Sequence, residues 1–176
     1  MAFGKKFSND ELRSAISFAS TKLGINQLKE QQEISLLSFL RGHDVFVNLP
    51  TGYGKSVVYQ AAPFCWDYLL ALASNVDVRT SDVAENHTSI VVTPLVSLMK
   101  DQVQILNSRG IKANSVTMDK LKDPNEKARI YSGNFSVLFV SPEVLLDIGG
   151  ELLRNSAYKG RICGVFIDES HVIKHW

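Results

Sequence analysis

The chain has 176 residues, 45 % of them apolar, and a formal net charge of +1. That length and composition suit one globular domain with its own core and exclude a disordered chain. The near-neutral balance excludes a bulk basic footprint, so any nucleic-acid contact must be a local patch or need a second domain.

Ser8-Asn9-Asp10-Glu11 reads as a capping box, and Leu12, Ala15, Ile16, Ala19 and Leu23 follow at helical spacing up to Gly24. After a connector over 25–30, Ile34, Leu37 and Leu40 predict a second amphipathic helix ending at Gly42. Asp44-Val45-Phe46-Val47 has strand composition. Pro50-Thr51-Gly52-Tyr53-Gly54-Lys55-Ser56 comes next, and Ser56–Ala62 reads as a helix start. Pro63 is expected to kink or end that helix, with Phe64–Ala73 resuming it. Ser74–Asn86 reads as a long loop, an insertion.

The run 89–93 predicts a buried strand stopped by Pro94, and Val96, Met99, Val103 and Leu106 predict a helix ended by Gly110. A third strand fits within 111–117. Asp123-Pro124-Asn125-Glu126 starts a short helix running to about Ser132. A strand over 137–141 stops at Pro142. The helix over 144–153 is expected to break at Gly149-Gly150, and a last strand spans 162–167. Strands that are apolar on both faces and alternate with helices predict an α/β fold, a three-layer sandwich around a mainly parallel sheet.

Cys65 and Cys163 stand far apart with no C-x-x-C partner, which argues against a disulfide framework or a zinc site and for a reducing compartment. The first residues lack the apolar core of a signal peptide, and no apolar run is long enough to span a bilayer. The sequons at Asn86 and Asn134 are therefore read as chance.

Strand, glycine turn, Lys-Ser and helix make the layout of a phosphate-binding loop. Glycines let the backbone approach an anion, Lys55 adds a positive charge for the β- and γ-phosphates, and the Ser56 hydroxyl suits Mg²⁺. Leu49 stands where the strict motif has glycine, so the bland alternative is a glycine-rich turn with a chance Lys-Ser. In a parallel sheet, ligands bind beyond the carboxyl ends of the strands. Asp168 and Glu169 fall at such an end, where Asp168 can hold Mg²⁺ and Glu169 can orient and deprotonate water. Alone the pair reads as a solvated turn; with a phosphate loop upstream the functional reading is the stronger. Gln32 offers a donor and an acceptor, but by itself reads as a solvated helix face. Lys100 and Gln102 also read as a solvated face, His171 as a satisfied surface or core histidine, and Trp176 as core.

Taken together, Leu49–Ser56, Thr93-Pro94-Leu95-Val96-Ser97-Leu98-Met99-Lys100-Asp101-Gln102, Ser141-Pro142-Glu143 and Asp168-Glu169-Ser170-His171 resemble the first motor lobe of superfamily 2 helicases, and among these the RecQ-type DNA helicases. The resemblance runs from about Leu23 to Trp176. It implies a RecA-like lobe over 23–176, preceded by an N-terminal helix over 1–22. The implied cofactors are ATP and Mg²⁺. Pro50, Thr51, Gly52, Tyr53, Gly54, Lys55 and Ser56 would bind the nucleotide, and Gln32 would read adenine, with Lys29 where the family has arginine. Ser56 and Asp168 would hold the metal, with Lys55, Asp168 and Glu169 catalytic. Thr93, Pro94, Ser97, Lys100, Ser141, Pro142 and Glu143 would line a DNA strand, and His171 would couple the two sites. Ser170 replaces the usual alanine and Leu49 is ordinary for the family.

The implied partner is single-stranded DNA or a single/double-strand junction, with 3′-to-5′ stepping, no membrane, and a role in DNA repair and recombination. The location is nuclear, or cytoplasmic in a bacterium. Family members continue into a second lobe that supplies an arginine finger. The lobe is accordingly expected to be incomplete at its C-terminus, with a gap or forced pairing at the centre of the sheet, exposed strand edges, weak nucleotide binding and little unwinding. Two alternatives remain: a catalytically incomplete nucleotide- or nucleic-acid-binding fragment, and another phosphate-loop enzyme such as a small-molecule kinase.

Overall fold

The computed structural model describes residues 6–50, 52–76, 78 and 83–169. They form two units, divided between His87 and Thr88.

The first unit is helical: α1 (Asn9–Lys22), α2 (Glu30–Leu40) and α3 (Ser56–Ala73). The expected capping box opens α1, with the Ser8 N–H donating to Glu11 Oε2 at 2.6 Å and the Glu11 N–H to Ser8 Oγ at 3.2 Å. The stripe Leu12, Ala15, Ile16, Ala19 and Leu23 is buried as expected. In α2 the buried face is Leu36, Leu37 and Leu40, while Ile34 is 54 % exposed, so the face is turned from the one expected. Pro63 does not end α3, which runs through it for 18 residues. A mid-helix proline costs about 3 kcal/mol. Burial of Ala61, Ala62, Phe64, Cys65 and Leu69 on one continuous rod, packed with α1 and α2, outweighs that cost.

Asp44–Val47 is not a strand. Residues 43–50 have no regular structure, and Phe46 is 82 % exposed. A strand is held by hydrogen bonds to a neighbour, and among the described residues none pairs with this run.

The second unit alternates β1 (Thr88–Val92), α4 (Val96–Ser108), β2 (Ala113–Val116), α5 (Met118–Lys122), α6 (Pro124–Tyr131), β3 (Val137–Val140), α7 (Pro142–Arg154) and β4 (Ile162–Ile167). The four strands form an all-parallel sheet in the order β2-β3-β1-β4, the α/β class expected. Each crossover passes through one or two helices, as parallel strands require. Strands β1, β2 and β3 are wholly buried. Ile90, Leu138 and Val140 from the sheet pack with Ile130, Val144, Leu152 and Tyr158 in the core.

Asp123 caps α6 by accepting from the Asn125 N–H, with Pro124 in the first turn. Helix α7 does not break at Gly149-Gly150. Gly149 is buried with the Leu145 side chain against it, and two helical glycines, at about 1 kcal/mol each, cost less than the apolar face of α7 returns. The short helix α5 was not foreshadowed by any periodicity. Strand β4 is an outer strand of the described sheet, and Val165 and Ile167 on it are each 52 % exposed.

Candidate functional site

In the first unit the loop between 49 and 56 is built on two left-handed glycines, Gly52 at φ 78° and Gly54 at φ 87°. Only glycine adopts these angles without strain. The turn closes through Tyr53 N–H to Pro50 O (3.2 Å), Val57 N–H to Gly54 O (3.2 Å) and Val58 N–H to Lys55 O (3.1 Å), which start α3 at Ser56. The Lys55 ammonium, half-buried, donates to Leu49 O at 2.8 Å and reaches Pro50 O at 3.5 Å. Its charge therefore lies folded back onto the loop, held by two carbonyls.

Gln32, buried at the start of α2, is the loop's main support. Its Oε1 accepts from Lys29 N–H at 2.9 Å, and its Nε2 donates to Tyr53 O at 3.1 Å and Gly54 O at 3.0 Å. Both amide protons are thereby used, leaving one lone pair on Oε1. A Cβ on Gly54 would lie 2.9 Å from Gln32 Nε2, so loop and glutamine fit only while residue 54 is glycine. Lys29 Nζ donates to Tyr53 O at 3.0 Å and lies 4.3 Å from the centre of the Tyr53 ring, whose hydroxyl donates to Gln31 Oε1. The charge at position 29 and the aromatic at 53 form one cap on the loop, a pairing that the separate motifs did not reveal. Thr51 lies outside the described residues.

In the second unit the parallel register lines up the residues that follow each strand. Val116, Val140, Val92 and Ile167 are neighbours across the sheet. The next residues, Thr117, Ser141, Thr93 and Asp168, therefore stand in one row at its carboxyl edge, about 4.8 Å from strand to strand. Three backbone bonds fix the row: Ser141 N–H to Val116 O (3.2 Å), Thr93 N–H to Val140 O (3.2 Å) and Asp168 N–H to Val92 O (2.9 Å). Glu169 then turns left-handed at φ 53°, and its N–H donates to Asp168 Oδ1 at 3.0 Å. A non-glycine residue held there marks a constrained corner. Thr117 was missed in the sequence, although its place after a strand matches that of Thr93 and Ser141.

Thr93 is 1 % exposed, and its Oγ1 has no hydrogen-bond partner among the described residues. Helices α4 and α7 both begin at this edge, and neither has a side-chain cap, at Leu95 or at Ser141. Their first N–H groups and positive dipole ends suit an anion. Ser97 and Glu143 are exposed in the first turns of these helices and Lys100 is exposed at the start of the second turn of α4, while Pro94 is half-buried and Pro142 buried. Ser170, His171 and Trp176 lie outside the described residues, and so does the coupling role expected of His171.

Among the described residues, no group of three His, Cys, Asp or Glu side chains could hold a metal by itself, and no helix is long and apolar enough to cross a membrane. Ser56 in the first unit and Asp168 in the second each carry an oxygen donor of the kind Mg²⁺ takes.

The DEAD/DEAH box helicase family profile matches residues 29–176. The chain is similar to the ATP-dependent DNA helicase RecQ of Haemophilus influenzae, 29 % identical over 94 % of this chain and 24 % of the relative. It is 33 % identical to the RecQ-like DNA helicase blm-1 of Caenorhabditis elegans over 89 % of this chain and 14 % of the relative. With the ATP-dependent helicase SGS1 of Saccharomyces cerevisiae it shares 29 % identity over 78 % of this chain and 9 % of the relative. The chain thus spans about a quarter of these relatives or less. With the glycine loop and the Asp168-Glu169 corner in place, the match over nearly its whole length shows that the chain belongs to the DEAD/DEAH box helicase family.

Proposed function

We propose that the chain is the ATP-binding motor lobe of a RecQ-type DNA helicase, in which ATP hydrolysis drives 3′-to-5′ movement along a single strand and opening of the duplex at a junction. The observation that carries the reading is the row at the carboxyl edge of the sheet, where Ser141, Thr93 and Asp168 follow three adjacent strands beside two uncapped helix starts. Phosphate is the ligand whose charge and acceptor oxygens match both the open amides and the idle Thr93 hydroxyl.

In this reading Lys55 leaves the carbonyls of Leu49 and Pro50 for the β- and γ-phosphates, and the glycine loop supplies N–H donors. Gln32 uses its remaining acceptor for adenine, stacked near Lys29 and Tyr53. Ser56 and Asp168 hold Mg²⁺, which when bound neutralises phosphate charge. Glu169 positions and deprotonates the attacking water. Pro94, Ser97 and Lys100 of α4 and Ser141, Pro142 and Glu143 of α7 follow one DNA backbone, and His171 links that track to the nucleotide. A second lobe supplies the arginine finger. The place of work is the nucleus in a eukaryote and the cytoplasm in a bacterium.

The test is nucleotide affinity and ATP hydrolysis, with and without single-stranded DNA, in the native chain and in Lys55→Ala. The reading expects DNA to raise hydrolysis and Lys55→Ala to lower nucleotide affinity by roughly tenfold or more. Binding without any turnover supports the second reading, a nucleotide-holding module, which the folded-back Lys55 favours. Equal affinity in both proteins removes the phosphate-loop reading.

A further inference from the structure

Asp67 is a lone carboxylate in the apolar second half of α3, 2 % exposed. One oxygen, Oδ1, accepts three bonds: from the Asn86 N–H at 2.9 Å, the His87 N–H at 2.9 Å and His87 Nδ1 at 2.8 Å. Oδ1 thus carries all three contacts, while Oδ2 is buried with no hydrogen-bond partner among the described residues. The Trp66 ring lies beside the same imidazole, with centroids 6.3 Å apart. Glu85, one residue earlier, is held more loosely by Lys22 of α1 at 3.9 Å.

Two features make this more than a loop anchor. Helix α3 begins at Ser56, at the phosphate loop, and Asp67 lies eleven residues along the rod, roughly 17 Å away. The residues that Asp67 holds directly precede Thr88, the first residue of β1, and β1 leads to Thr93 and Pro94 at the candidate DNA edge. By sequence the two regions are separated by residues 74–87, which carry no helix or strand among the described residues. The Asp67 carboxylate bypasses that stretch, tying the helix that starts at the nucleotide loop to the two residues that precede β1 in the chain.

We propose that Asp67 is a positioning residue that transmits the nucleotide state of the loop at Lys55 to β1, by holding the Asn86 and His87 amides against α3. The proposal rests on the motor-lobe reading above. When Lys55 leaves its two carbonyls, the start of α3 shifts with the loop, and the three bonds at Oδ1 carry that shift to the root of β1. Burial keeps water from replacing them, so the link stays stiff.

The test is hydrogen exchange at amides 86–92, and affinity for an oligo-dT strand, each with and without saturating Mg·ATPγS. The expected result in the native chain is that nucleotide slows exchange at 86–92 by roughly threefold or more and changes oligo-dT affinity by roughly fivefold. Asp67→Ala should lose both responses while its ATPγS affinity stays within about twofold of native. Asp67→Asn, which keeps an acceptor at the same place, should restore them. Should Asp67→Ala fail to fold, Asp67→Leu, which keeps apolar bulk in α3 and removes the acceptor of both amides, decides: lost responses support the link, whereas native-sized ones overturn it. A native-sized response in folded Asp67→Ala also overturns the proposal. If the native chain binds ATPγS but shows no change at 86–92, the link falls and the motor-lobe reading stands. If it binds no ATPγS, both fall.

Discussion

Gly54 shows how one residue can decide the state of the site. Its left-handed φ of 87° costs any other residue about 1–2 kcal/mol, and its missing side chain leaves the space that the Gln32 amide occupies. Gly52, at φ 78°, has nothing within 4 Å of the place a Cβ would take. Gly54→Ala should therefore destabilise the chain by about 1 kcal/mol more than Gly52→Ala in urea unfolding, and in a Gln32→Ala background the difference should vanish. Equal costs with Gln32 present would show that the glutamine does not brace the loop. Tyr158 makes a different residue-scale argument. Its buried hydroxyl donates to Ile130 O at 2.6 Å, and burial, the largest cause, pushes its pKa well above the usual tyrosine value. The folded chain keeps the proton when the unfolded chain has lost it, so this contribution is complete below about pH 10 and declines above it by about 1.4 kcal/mol per pH unit. Tyr158→Phe should flatten that alkaline decline. At neutral pH it should cost only about 1 kcal/mol, because Ile130 O also accepts from the Gly133 N–H. Parallel alkaline curves for the two proteins would contradict the assignment.

At the scale of elements, the two outer strands of the sheet are treated differently. On β2, the Asn114 side chain folds over the edge so that its Oδ1 accepts from the Ser115 N–H at 2.8 Å and from Lys120 Nζ at 2.8 Å. Lys120 also donates to Ser115 Oγ at 3.0 Å, and its partial burial lowers its pKa. A lysine laid along an edge strand blocks pairing with another chain. Lys120→Ala should cost about 1–2 kcal/mol in urea unfolding, whereas Lys122→Ala, whose ammonium pairs with exposed Asp119, should cost under about 0.5 kcal/mol. Equal losses would remove the edge-cap reading. None of this was legible in Ala113–Val116, since which strand lies at an edge depends on sheet order, which no local pattern carries. Three strand positions within the second unit were legible because β1, β3 and β4 are apolar runs that end near proline or at Asp168, while β2, Ala-Asn-Ser-Val, was placed only within 111–117. Helix breaks at Pro63 and at Gly149-Gly150 were misread for one reason: local cost was visible in the sequence and the burial that outweighs it was not. The phosphate loop and acidic pair were legible as motifs. The Asp67 clamp was not, although a single acid among Phe64–Ala73 is itself a sign of a buried polar role.

For the whole molecule, half-exposed β4 matters more than capped β2. Strand β4 pairs with β1, and Val165 and Ile167 on it are half exposed. The formal charge of +1 gives little repulsion to keep copies apart. An apolar strand half exposed among the described residues, on a weakly charged surface, should associate through β4, in a way that added salt does not dissolve, since apolar burial rather than ion pairing drives it. Val165→Lys places a charge on that strand three residues before Asp168, away from the row at the carboxyl edge, at a site already in contact with water. It should cut light scattering at high protein concentration severalfold while leaving the urea midpoint within about 0.5 kcal/mol of native. Lys122→Glu, an exposed charge reversal on α5, far from β4 in sheet order, should leave scattering unchanged. If Val165→Lys scatters like the native chain, association runs through another surface and β4 is not the molecule's exposed liability.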